Sequence, residues 1–262
     1  GWYMIKELAS LQNEVVKKIA SLKTKKYRKR EGLYLLEGKR ALEEAFAAKI
    51  PMESIFYTQL PVDWPENAET VSRPYYHVTE AVLKKITDTE DPQGVAAVLP
   101  LTYPDLADLH VEKGLVLVLD QIRDPGNLGT LIRTADAMGA CAVLLMKNTT
   151  DLYNPKVVRA TMGSLFHLPI CCDVEESALF SFCHREKMPL WATALVGAND
   201  ITMLPYPEKL ALVLGSEATG VSETLLQQAD QKVKIPMYGK AESLNVAVAG
   251  GMLLFAAAQH MR

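Results

Sequence analysis

Apolar positions follow two regimes along the chain, and the change comes near residue 114. Before it the pattern is amphipathic: Ile5, Leu8, Leu11, Val15, Ile19 and Leu22 recur at helical spacing and predict a helix over residues 5–22. Short elements follow. Leu33–Leu36, Ser54–Thr58, Tyr76–Val78 and Gly94–Leu99 read as strands, and Lys39–Ala48 and Thr79–Ile86 as helices, the second capped by Thr79. These make a small α/β unit, and the prolines of Pro100–Lys113 mark a linker. Beyond Gly114 the apolar runs are continuous: Leu115–Leu119, Cys141–Met146, Leu190–Leu195, Leu210–Leu214 and Val233–Met237, each followed by a polar turn and a helix-like segment. Strands buried on both faces look like this, so a parallel sheet covered by helices is expected, with ligands beyond the carboxyl ends of its strands. The segment Ser243–Ala258 is apolar and small nearly throughout, with no solvated face. It is expected to be buried all round, within its domain or against another subunit.

Composition adds limits. The 262 residues are 49% hydrophobic and 23% charged, an ordinary globular balance with room for two domains. No apolar run reaches the ~20 residues of a bilayer span, and the start lacks a basic-apolar-small leader, so the chain reads as cytoplasmic. Cys141, Cys171, Cys172 and Cys183 form no CxxC and the histidines no HExxH, which leaves metal catalysis without support. The net charge of −3 hides an asymmetry, because residues 1–40 hold eleven Lys and Arg against four Glu. Within them Lys23–Arg30, KTKKYRKR, has no acidic residue and has Tyr27 in its middle. This run reads either as a solvated connection or as a phosphate-backbone contact through Lys25, Lys26, Arg28, Lys29 and Arg30, with Tyr27 able to stack on a base.

The turns after the apolar runs carry the candidate chemistry. Asp120–Ala140 brings Gly126 and Gly129 for close backbone approach, Asn127 as a possible helix cap, and Arg133 on a segment otherwise rich in Leu, Ile and Ala. Capping and tight turning explain the first three but not Arg133. The glycines do not make GxGxxG, and Lys147 stands where an acidic ribose clamp belongs, which counts against a dinucleotide-dependent oxidoreductase. Leu214–Ser222, LGSEATGVS, has phosphate-loop spacing, yet Val221 replaces the lysine and Glu217 sits inside the loop. A cationic or neutral ligand beside one carboxylate fits better than a nucleoside triphosphate. The third connection, Ile235–Asn245, is polar where a strand hands over to a helix. Arg159 and His167, in Asn154–Pro169, stay outside the catalytic set.

Taken together these three turns resemble the SpoU or TrmH family of RNA ribose 2′-O-methyltransferases, within the knotted SPOUT group. The first motif corresponds to Asn127-Leu128-Gly129 with Arg133, the second to Leu214-Gly215-Ser216-Glu217 with Gly220, and the third to Ile235-Pro236-Met237 followed by Ser243-Leu244-Asn245. The resemblance spans residues 114–258, and one departure is Ala218, where the family commonly has glycine. It implies an α/β fold: a parallel-sheet SPOUT domain over 105–262 with a trefoil knot, preceded over 1–104 by a ribosomal-protein-like substrate-binding domain that contacts RNA. It further implies a homodimer, S-adenosylmethionine as cofactor, and ribosomal RNA as substrate, with transfer RNA or a non-catalytic RNA-binding role as the alternatives. Gly215, Ile235, Met237, Leu244 and Leu214 would line the cofactor pocket. Arg133, Asn127, Glu217, Ser243 and Asn245 would surround the reacting ribose, with the proton going to arginine or to a substrate phosphate, and Ser243 holding substrate or only capping its helix.

Overall fold

The structure, a computed structural model, describes residues 4–65, 72–87 and 89–262. Asp88, between the expected helix Thr79–Ile86 and the expected strand Gly94–Leu99, lies outside the described residues. The chain divides into two compact units, one running to Thr102 and including Tyr153–Phe166, the other comprising Tyr103–Leu152 and His167–Arg262.

In the first unit the strands β1 (Met4–Leu8), β2 (Leu33–Glu37), β3 (Ser54–Tyr57), β4 (Pro74–Val78) and β5 (Val95–Pro100) form one mixed sheet in the order β1-β4-β3-β5-β2. The helix expected over 5–22 is thereby corrected: Met4–Leu8 pairs in parallel with Pro74–Val78, and α1 (Glu14–Ser21) starts only after Asn13, whose Oδ1 accepts the Val15 N–H at 2.8 Å. Strand pairing overrides a helical spacing that continues by coincidence through both elements. Val16 and Ile19 of α1 and Val82, Leu83 and Ile86 of α4 (Glu80–Ile86) close over Phe56, Val78, Ala96 and Val98 of the sheet. Thr79 caps α4 as expected, its Oγ1 accepting from Val82 N–H at 3.1 Å. The basic run is not a loop but a short helix, α2 (Lys25–Glu31), ended by Gly32 in the left-handed conformation; α3 (Lys39–Ala47) follows β2, and α6 (Pro155–Ala160) belongs to the same unit.

The second unit is a seven-stranded parallel sheet in the order β10-β12-β9-β11-β6-β7-β8. The continuous apolar runs form its centre: β6 (Gly114–Asp120), β7 (Ala142–Met146), β9 (Leu190–Thr193) and β11 (Lys209–Gly215). Two further strands, β8 (Ile170–Val174) and β10 (Asn199–Asp200), gave no such run, since Cys172 and Asp173 interrupt one and the other is two residues long. The last strand, β12, covers Gln231–Lys234 rather than Val233–Met237. Pro236 cannot donate to a ladder and restricts Ile235, and the neighbouring β9 ends at Thr193, opposite Val233. One face of the sheet is covered by Leu179 and Phe182 of α7 (Glu176–Glu186) and Leu225 of α8 (Glu223–Gln228). Helix α5 (Pro125–Ala137) packs against the terminal helix α9 (Val246–Met261), which also touches β6 and β11. Gly250 lets these helices meet, since a Cβ there would lie 2.3 Å from Leu131 Cδ2.

Helix α9 is not enclosed on all sides within one chain. Val246, Gly250, Leu253, Leu254 and Ala257 face inward, whereas Val248, Met252 and Phe255 are 54%, 47% and 57% exposed.

Candidate active site

Strands β6 and β11 are neighbours in register, Leu214 opposite Leu119 and Gly215 opposite Asp120, so the turns that follow them leave the sheet side by side. The turn after β11 is tightly closed. Ser216 pairs with Gly220, whose N–H donates to Ser216 O at 2.8 Å with φ +69°; the Ser216 hydroxyl accepts the Thr219 N–H at 3.1 Å and meets Thr219 Oγ1 at 2.8 Å. Gly215 is sterically required, because a Cβ there would come within 2.1 Å of Gly220 C. The buried carboxylate of Asp120 fastens the far end of the turn, Oδ2 accepting the Ser222 N–H at 2.8 Å.

This turn places Glu217 at the amino terminus of α9, where its Oε1 accepts the Val246 N–H at 2.7 Å. A carboxylate is well suited to the open donors and positive dipole end of a helix. Asn245 caps the same helix, its Oδ1 accepting from Ala247 and Val248 N–H at 2.9 and 3.1 Å. Two backbone donors on that oxygen fix the amide's orientation, so its nitrogen must donate, and it does so to Asn127 Oδ1 at 3.3 Å. Asn127, Glu217 and Asn245, widely separated in sequence, thus meet at one helix end.

Two capping assignments are corrected here. Asp124 caps α5, its Oδ2 accepting the Asn127 N–H at 2.8 Å, which puts Asn127 inside the first turn with its side chain directed to Asn245. Asn245, not Ser243, caps α9; Ser243 is exposed two residues earlier and shares no hydrogen bond with the group. Arg133 is exposed on α5, six residues and roughly 240° around the axis from Asn127, so it presents a different face.

Of the remaining positions, Gly215 and Leu214 end β11, with Leu214 buried inward beneath Gly250. Ile235 and Met237 follow β12, half-buried and 41% exposed, and Leu244 is half-buried just before α9. Exposed apolar side chains also follow the neighbouring strands: Leu195 and Val196 after β9, and Tyr238 beyond Met237. In the basic helix α2, Lys25, Lys26, Lys29 and Arg30 point outward, and the Tyr27 ring lies beneath Lys26 Nζ and Arg30 Cζ at 5.9 and 6.0 Å. Arg28 corrects the expected set: it is buried, with Nη1 donating to Leu22 O and Lys23 O at 3.0 and 2.8 Å, and so braces the α1–α2 connection instead of facing outward. Sequence reasoning passed over Asp120, Asp124, Leu195 and Val196; an acid closing an apolar strand was the available signal for Asp120. Among the described residues, no three His, Cys, Asp or Glu side chains are grouped to hold a metal, and no helix is long and apolar enough to cross a membrane.

Residues 114–255 match the SpoU rRNA Methylase family, and residues 13–97 match the MRM3-like substrate binding domain. The chain is 36% identical over 254 residues to the 23S rRNA (guanosine(2553)-2′-O)-methyltransferase RlmP of Bacillus subtilis, covering 96% of this chain and 98% of that protein. It is 29% identical over 248 residues to the 23S rRNA (uridine(2479)-2′-O)-methyltransferase of Streptomyces viridochromogenes, covering 91% and 86%. The crystal structure of an AdoMet-bound rRNA methyltransferase from Sinorhizobium meliloti superposes with a TM-score of 0.89 at 33% identity, over 99% of each chain.

Proposed function

Because this chain belongs to the SpoU rRNA methylase family, we propose that it transfers the methyl group of S-adenosylmethionine to a ribose 2′-hydroxyl of large-subunit ribosomal RNA. The observation that carries this reading is the meeting of Asn127, Glu217 and Asn245 at the start of α9, beside the glycine turn that closes β11. S-adenosylmethionine, when bound, supplies a methyl group already activated on a sulfonium. The chain's residues fit that ligand: the turns offer backbone groups at Leu214 and Gly215, apolar side chains at Ile235, Met237 and Leu244, and Val221 where a triphosphate loop has its lysine.

The work left to the protein is positioning and charge control. Glu217 and Asn245 hold α9 and the glycine turn in one register, and Asn245 in turn orients the Asn127 amide, leaving the Asn127 nitrogen to donate toward the ribose. Ser243 adds a hydroxyl at the mouth of the same site. Arg133 offers a planar fork of donors, so it steadies a substrate phosphate and the developing 2′-oxyanion. The first unit binds RNA, with Lys25, Lys26, Lys29 and Arg30 on its phosphates; residues 1–104 act as the substrate-binding domain and 105–262 as the catalytic one.

The enzyme works as a homodimer, a reading supported by the apolar stripe Val248, Met252 and Phe255 at spacings of four and three on α9. A second copy laid there also offers Arg133 a route to a reacting site from which it is turned away on its own helix. Knotting of the second unit is supported by its sheet order, in which β12 lies beyond β9 while the chain after it returns to pack on α5. Calorimetric titration with S-adenosylmethionine, paired with methyl transfer to ribosomal RNA, tests the assignment. Arg133→Ala is expected to abolish transfer with cofactor affinity nearly unchanged; turnover retained in that variant would remove Arg133 from the mechanism.

A further inference from the structure

The first unit contains a cleft of about 400 Å³ that the methyl-transfer site does not use. Its walls come from α2, β2, the start of α3 and the stretch Tyr153–Gly163, all within that one unit. Lys23, Arg28, Arg40 and Arg159 line it against two carboxylates, Glu37 and Asp91. Arg40 is exposed, and Lys23 is half-exposed. The rest of the lining is largely aliphatic, with the Tyr153 ring set 4.5 Å from Tyr34 and with Met162 at the surface. Met162 is held at φ +51°, next to Gly163 at φ +91°. A non-glycine side chain rarely takes that conformation, and here the turn presents a flexible apolar side chain beside the cleft.

Inside, Glu37 takes the Gln93 N–H at 3.1 Å and the Thr89 hydroxyl at 3.3 Å, which leaves acceptor capacity on its carboxylate. Partial burial raises its pKa above the ordinary value, against the lowering effects of those two hydrogen bonds and of the Arg159 charge. A cationic lining, an apolar wall and an unsaturated acceptor together match a phosphate, a flat ring and a ring-edge donor.

We propose that this cleft takes one unpaired nucleotide of the RNA substrate, its phosphate against Arg40 and Lys23, its base against Tyr153 and Met162, and a purine amino edge toward Glu37. Single-stranded RNA is commonly recognised by splaying a base into such a site while cations track the backbone. The volume suits a single nucleotide and not a duplex. The proposal rests on the RNA-methylating reading for the identity of the polymer, but the cleft itself is independent of cofactor binding.

The test uses the full chain labelled with ¹³C at its methionine methyl groups, the Met162 signal being assigned by its loss in Met162→Leu. Guanosine 5′-monophosphate at millimolar concentration should shift that signal. Ribose 5-phosphate should not, and uridine 5′-monophosphate should do so more weakly. Arg40→Ala should abolish the shift, and Glu37→Gln should remove the preference for guanosine. With deproteinised large-subunit ribosomal RNA, Arg40→Ala should raise KM about tenfold and lower the salt slope of binding by about 0.7, as loss of one single-strand phosphate contact requires, with S-adenosylmethionine affinity kept.

The proposal is overturned if no mononucleotide moves Met162, if ribose 5-phosphate alone reproduces the shift, or if an acidic peptide does so in their place. It also fails if the wild type methylates RNA while Arg40→Ala leaves KM and salt slope untouched. A guanosine-dependent shift without any methyl transfer would instead support the cleft and count against the catalytic reading.

Discussion

At the scale of single residues, the second motif is a device for bringing backbone close to backbone. The Gly220 backbone comes so close to Gly215 that no side chain fits on Gly215, Asp120 pins the exit, and Glu217 is thereby delivered to the α9 terminus. Gly215→Ala should force the turn open, since a Cβ would sit 2.1 Å from Gly220 C. Overpacking of this kind costs about 1–3 kcal/mol, which should appear as a lower unfolding midpoint together with loss of S-adenosylmethionine binding in calorimetry. Unchanged affinity in that variant would mean that the turn is not part of the cofactor site. The glycines, Glu217 and Asn245 were legible in the sequence because polar groups after apolar strands are conspicuous. Who caps whom was not: Asp124, Asn127, Ser243 and Asn245 are all competent caps, and choosing among them needs the backbone path. Burial of Arg28 was equally hidden, because a basic run looks uniform until its helix turns one member inward.

At the scale of elements, continuous apolar runs located the central strands of the large sheet well, and the failures came at its margins. Ile170–Val174 carries an aspartate and adjacent cysteines, and Asn199–Asp200 is too short to give a period. Met4–Leu8 failed for a different reason: its apolar spacing is in phase with the following helix, and only the partner strand Pro74–Val78 distinguishes the two. The terminal helix was read as apolar on every side, and it is; the chain alone covers only part of it. Phe255→Glu places a charge at the carboxyl end of the exposed stripe, where burial against a second copy would be strongly unfavourable. Light scattering should therefore show the wild type near twice the 28.9 kDa chain mass and the variant near 28.9 kDa. A wild-type monomer, or a variant that stays dimeric, would assign this face to something else.

At the scale of the whole molecule, the proposed chemistry and the proposed recognition fall on two differently built units. The all-parallel sheet brings the turns after β6, β11 and β12 out at one end, with β9 between β12 and β11, while the mixed sheet carries the basic helix and the nucleotide-sized cleft. The sequence foreshadowed two differently built units in the shift from amphipathic to continuous apolar patterning. It did not foreshadow that Tyr153–Phe166, well inside the span matched to the methylase family, folds with the first unit. That association depends on contacts such as the Tyr153 hydroxyl donating to Thr102 O, which have no local sequence signal. The most direct test of the account is to incubate the purified protein with isotopically labelled S-adenosylmethionine and deproteinised large-subunit ribosomal RNA, then digest the RNA to nucleosides for mass spectrometry. Label is expected on the ribose of one 2′-O-methylnucleoside and is expected to be absent with Arg133→Ala; label on a base, or none despite bound cofactor, would rule out ribose methylation by this site.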